Sequence, residues 1–138
     1  MSNKDEFNRI AASVLENLDE SFPIPIRLYA KDYVDETSEE SRQLFVYTVE
    51  FLSKENLLTF GGGSDEGHQI HLTVLTGKGL SLLNSVPEIL QEKSETTPFR
   101  QKIKNALKAG SKEALKMVMS QFIQAVVKGE WHLPHLNS

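Results

Sequence analysis

Cysteine is absent from this chain of 138 residues. That excludes disulfide staples and thiolate metal sites, and it suits a reducing compartment. Long apolar runs are missing too. The longest uncharged stretch near the C-terminus, Met117 to Val127, is interrupted by Ser120, Gln121 and Gln124, whereas a membrane-spanning helix takes about 20 apolar residues. The first residues carry Lys4, Asp5 and Glu6 where an export signal has a basic stretch followed by an apolar one. The expectation is therefore a cytoplasmic protein without membrane contact. Long low-complexity tracts are also lacking. What remains is 39% hydrophobic and 25% charged, ordinary for a globular chain of one domain plus an appendage.

The charge is unevenly placed. Residues 1–92 hold 7 Lys/Arg against 16 Asp/Glu, a balance of -9, and residues 93–138 hold 8 against 3, a balance of +5. Such asymmetry predicts either a basic segment lying on an acidic body, its own or a neighbour's, or two solvated faces of opposite sign.

Phe7, Ile10, Ala11, Val14, Leu15 and Leu18 recur at helical spacing and predict a helix over about 3–19. Phe22-Pro23-Ile24-Pro25 ends it in an extended corner, with Ile24 and Ile26 expected to face inward. A short second helix is expected over 27–34. Thr37-Ser38-Glu39-Glu40 reads as a capping box opening a third helix, whose core edge is Phe45, Val49 and Leu52, widened by Leu44, Val46 and Phe51. Asn56 is its expected left-handed terminator. A strand over 57–60, an irregular Gly-rich tip over 61–67 and a return strand over 68–75 follow. Alternation in the return strand places Ile70, Leu72 and Val74 on one face, and Gln69, His71 and Thr73 on the other. Thr76 caps a helix over 77–83, and Ser85-Val86-Pro87-Glu88 reads as a further capping box. Residues 92–97 read as a linker. Thr97-Pro98 opens another helix that runs to Gly110, where a break stays open. The last helix carries an apolar stripe of Leu115, Val118, Met119, Phe122 and Val126.

The segments Phe22-Pro23-Ile24-Pro25, Val49 to Leu58 and Leu75-Thr76-Gly77-Lys78-Gly79-Leu80 together resemble winged-helix domains of uncharacterised bacterial proteins, over about residues 3–84. The resemblance implies an α+β, mostly α fold with a two-stranded hairpin wing, here followed by a C-terminal amphipathic helical extension. The expected division is 1–92 and 93–138. The resemblance further implies that the third helix enters a DNA groove while the wing touches the backbone.

Groove binding requires Lys and Arg against phosphate. The third helix instead begins with acids, and only Arg42 and Gln43 could read a base edge, with Lys78 as a further DNA-contact candidate. Glu39 and Glu40 on the helix and Asp65 and Glu66 on the wing point instead to a protein-interaction surface. The stripe Leu115, Val118, Met119, Phe122 and Val126 needs a cover, either a second copy of the chain in a homodimer or the chain's own domain.

Catalytic signals are thin. Gly77-Lys78-Gly79 lacks the earlier glycine and the following Ser or Thr of a phosphate loop. Ser64 lacks the flanking glycines of a nucleophile elbow. His68 and His71 are three apart on a strand and point to opposite faces. His132 and His135 are better read as solvent-exposed than as metal ligands. The expectation is a non-enzymatic interaction or regulatory module with no cofactor and no metal. The alternative is a winged-helix DNA-binding transcriptional regulator.

Overall fold

The computed structural model describes residues 2–87 and 96–128. Among them the chain is α+β and mostly helical, with a small antiparallel sheet. The elements are α1 (Asn3–Ser21), β1 (Ile26–Tyr29), a 3-10 turn (Ala30–Asp32), α2 (Glu39–Lys54), β2 (Leu58–Thr59), β3 (Gly62–Ser64), a tight turn (Asp65–Gly67), β4 (Gln69–Leu75), α3 (Gly77–Asn84), α4 (Phe99–Ala109) and α5 (Lys112–Lys128).

The expected second helix is corrected to a strand. Along 26–30 the burial alternates: Arg27 and Tyr29 are exposed, Leu28 and Ala30 are buried. That period of two is the signature of a strand. β1 pairs antiparallel with β4, and only the 3-10 turn remains of the helix. Ile24, expected to face inward, is 67% exposed.

The helix at 37–56 forms, with its start shifted by one residue. The Thr37 backbone N–H and hydroxyl both donate to Asp35 Oδ1, at 3.0 and 2.6 Å. Thr37 is thereby engaged in the preceding turn, and Ser38 caps α2 by accepting from the Ser41 N–H. At the other end Asn56 is left-handed, with φ 64. Asn56 N donates to Ser53 O and Leu57 N to Leu52 O. This is a Schellman closure, with buried Leu57 and Leu52 at its apolar contact positions.

The Gly-rich tip is more ordered than expected. β2 and β3 share one register against β4, with Leu58 opposite Leu75, Thr59 opposite Val74, Gly62 opposite His71 and Ser64 opposite Gln69. The hairpin therefore extends to Ser64, and the reversal is confined to the turn after it. β1 occupies the other edge of β4, so β4 is the central strand of a small antiparallel sheet and not half of an isolated pair.

β4 also departs from strict alternation. Its pairing with β1 slips between Ile26–Thr73 and Leu28–Ile70. The extra residue on β4 makes a bulge, and Leu72 sits in it with φ 51. Downstream the faces swap: Leu72 is 64% exposed, whereas Thr73 is buried together with Leu75.

One hydrophobic cluster runs through the described chain. It joins α1, α2 and the sheet to α4 and α5, with Phe99 and Phe122 in edge contact at 5.3 Å between ring centres. The basic C-terminal helices lie on α1 of their own chain. Arg100 makes a two-pronged pair with Asp19, at 2.5 and 2.8 Å, and also bonds Asn84. Lys104 reaches Glu20 at 4.0 Å and Lys112 reaches Asp5 at 3.2 Å. Gly110 ends α4 in the left-handed conformation, and Ser111 restarts the chain as α5 by accepting from the Ala114 N–H. The expected cap at Thr97 is replaced by Pro98, which has no side chain able to cap. Glu88, most of the expected linker, Trp131 and the two C-terminal histidines lie outside the described residues.

Candidate protein-docking groove

The groove lies where α2 meets the turn of the hairpin. An amphipathic helix presents residues four apart on one face, so Glu39, Gln43 and Tyr47 form a stripe away from the buried Phe45, Val49 and Leu52. Arg42 and Val46 form the inner edge of that stripe. Glu66 and Gly67 stand opposite, and together these residues line an open groove of about 490 Å³.

Two clamps hold the turn against α2. The Arg42 guanidinium donates to the Glu66 carbonyl at 3.1 Å and to the Glu36 carbonyl at 2.6 Å. His68 Nδ1 lies 3.1 Å from Glu36 Oε2. The turn needs this support because its backbone is unusual. Glu66 has φ 54 and Gly67 has φ 87, and a side chain at Gly67 would crowd Val46 at 3.2 Å. Asp35, at the entry to α2, is held ionised to lower pH than an ordinary carboxylate by the two Thr37 hydrogen bonds.

The sequence-derived candidates separate into three groups. Glu39, Arg42, Gln43 and Glu66 come together at the groove. Glu40 is exposed beside them on α2, and Asp65 falls in the same turn. Lys78 stands apart, in the first turn of α3 and half-buried. Tyr47 escaped the sequence reading, and Val46, expected to widen the core edge, lines the groove instead. The signal was present, since Tyr47 is an aromatic residue off the apolar stripe of its own helix; it is 62% exposed.

The Leu115, Val118, Met119, Phe122 and Val126 stripe is elsewhere and inward. All five are buried, Met119 and Phe122 completely. Of the two covers expected for it, a second chain or the chain's own domain, the structure supplies the second. The outer face of α5 carries Lys116, Met117, Ser120, Gln124 and Val127 as exposed residues.

Arg42, the residue best placed to read a base edge, places two of its five N–H donors on backbone carbonyls, which fixes its guanidinium against the turn. The acids around it remain open to solvent. The groove therefore has the Glu39 and Glu66 carboxylates and the exposed Tyr47 ring in one lining, a combination that attracts cations by charge and by the ring's negative face.

Elsewhere, Gly77-Lys78-Gly79 has a structural role. A side chain at Gly79 would lie 2.2 Å from the Leu57 carbonyl oxygen, so the glycine permits α3 to sit on the end of α2. Among the described residues no group of three or more His, Asp or Glu side chains could hold a metal ion. None of the described helices is long and apolar enough to cross a membrane. Comparison with known proteins finds no matching family model, no matching curated protein and no matching solved structure.

Proposed function

We propose that this chain is a non-enzymatic winged-helix interaction module whose α2–hairpin groove docks a basic segment of a protein partner. Support for the winged-helix reading is the order of elements: α1, a strand, a short 3-10 turn in place of a second helix, α2, and a hairpin whose turn returns to α2. The single observation that carries the docking reading is the engagement of Arg42. Two of its donors serve the Glu36 and Glu66 carbonyls, and the groove's lining carboxylates are those of Glu39 and Glu66, with Tyr47 in the same lining. A lysine or arginine of the partner would lie over the Tyr47 ring with a carboxylate within reach. Duplex DNA would meet like charge there.

The test is fluorescence anisotropy with two labelled probes, a lysine- and arginine-rich peptide and a mixed-sequence DNA duplex, from low to physiological salt. The peptide should bind, weaken with salt, and lose binding in the double variant Glu39→Lys, Glu66→Lys. Tyr47→Ala should weaken it further at fixed charge. DNA binding with a steep salt dependence, together with an indifferent peptide, would overturn this reading in favour of a DNA-binding regulator.

A further inference from the structure

A second cleft, of about 400 Å³, opens where the α4–α5 junction crosses α1. Its size falls within the range of pockets that accept small organic ligands, about 300–1,000 Å³. The two sides come from segments far apart in sequence. α1 contributes Asp5, Asn8 and Arg9, and the junction contributes Leu107, Lys112 and Leu115. Leu115 is buried and Leu107 half-buried, so the floor is apolar while the rim is charged.

The rim has two cations, Arg9 and Lys112, each paired with one carboxylate. Arg9 donates one Nη to Glu6, a turn earlier on the same helix, at 2.6 Å. Lys112 pairs with Asp5 across the cleft at 3.2 Å. Neither pair consumes its cation's capacity, because a guanidinium carries five N–H donors and an ammonium three. Both cations are also well exposed, with side chains 40% and 62% accessible. Exposed pairs of this kind are weak and rearrange at little cost. Lys116 adds further positive charge near Asp5.

We propose that this cleft binds a small amphipathic carboxylate, its apolar body on Leu107 and Leu115 and its headgroup between Arg9 and Lys112. A ligand amine would find Asp5 but would also face both cations. A neutral alcohol would gain the floor without the headgroup pairing. The site is separate from the α2–hairpin groove, and it stands whether or not that groove docks a protein.

The experiment is an amide NMR titration of the full chain with three probes of equal chain length: octanoate, 1-octanol and octylamine. Octanoate should give saturable shifts concentrated at residues 5–13 and 107–115, with octanol weaker and octylamine weakest. Arg9→Gln should weaken octanoate about tenfold, the value of a lost charged hydrogen bond, and leave octanol unchanged. Asn8→Phe should fill the cleft and abolish both, with the circular dichroism spectrum retained. If that variant does not fold, the ranking of the three probes on the unmodified chain still decides. Absence of saturable octanoate shifts at millimolar concentration would overturn the proposal. So would octylamine binding as well as octanoate, shifts centred elsewhere, or an Arg9→Gln variant that binds octanoate unchanged.

Discussion

Replacing Gly79 by Ala should be among the most damaging single-methyl changes available in this chain. An added Cβ would lie 2.2 Å from Leu57 O, 3.1 Å from its carbonyl carbon and 3.3 Å from its Cα. All three are backbone atoms at the Schellman closure of α2, so no side chain can swing aside. The start of α3 must instead withdraw by about 1 Å, an overpacking strain worth about 1–3 kcal/mol. Withdrawal also loosens a small network. Thr76 N donates to Leu57 O at 3.0 Å, Thr76 Oγ1 to Asn56 O at 2.6 Å and Gly79 N to Thr76 Oγ1 at 2.9 Å. Each such bond contributes about 1 kcal/mol net. With partial loss of these, the expected cost is about 3 kcal/mol, a large share of a typical stability of about 5–15 kcal/mol. The control is Gly77→Ala, two residues earlier in the same helix, where nothing lies within 4 Å; it should shift stability by less than about 1 kcal/mol, if anything upward. Urea unfolding followed by circular dichroism measures both, read as a change of midpoint at constant slope. A Gly79→Ala cost under about 1 kcal/mol, or equal damage from Gly77→Ala, would refute the packing argument.

Leu72→Gly should stabilise the chain slightly: relief of the left-handed backbone is worth about 1–2 kcal/mol, offset by glycine's entropy of about 0.5–1 kcal/mol, and a lowered melting temperature would contradict it. Lys112→Met should raise the Asp5 carboxyl toward its ordinary pKa, because the Lys112 hydrogen bond is the main cause of its depression; carboxyl NMR titration reads this directly. The sign for stability follows, since a carboxylate with a depressed folded pKa contributes above its unfolded pKa and loses that contribution as pH falls through the folded one. Wild type should thus lose stability relative to Lys112→Met on acidification below the ordinary aspartate range. Removal of residues 96–138 should expose the α1 face that α4 and α5 cover, giving a chain that binds a hydrophobic dye and unfolds without cooperativity; a sharp transition in the truncated chain would show that residues 2–87 stand alone.

What was legible in the sequence was local. The left-handed Asn56, the Thr76 cap of α3 and the α5 stripe each follow from residues within a turn of one another, and each forms as expected. Leu72 shows the opposite case. By alternation it belongs inside with Ile70, and its side chain is apolar. The bulge that turns it out arises from the pairing of β4 with β1, more than 40 residues earlier in the chain. Thr73 is consequently buried with no partner for its hydroxyl among the described residues, which no period-two pattern would select. The strand β1 was misread for a related reason. Its alternation over 26–30 was present, but the segment is too short to distinguish from one helical turn until a partner strand is known.

Residue type makes Arg42 a DNA-contact candidate, and the structure adds two backbone contacts that the sequence does not show. Residue type and helix position make it a base-reading candidate, since it stands near the start of the expected recognition helix, whose other cation, Lys54, is at the far end. Its role is decided by Glu66, whose left-handed backbone aims a carbonyl at the guanidinium from 24 residues away. Once that contact exists, the same arginine closes the turn onto α2 and leaves the acids to set the surface charge. Arg42→Ala should therefore loosen the Asp65–Gly67 turn: faster amide exchange at residues 65–68 with α2 unchanged. Unaltered exchange there would mean that the His68–Glu36 pair holds the turn by itself, and Arg42 would again be free to meet a ligand.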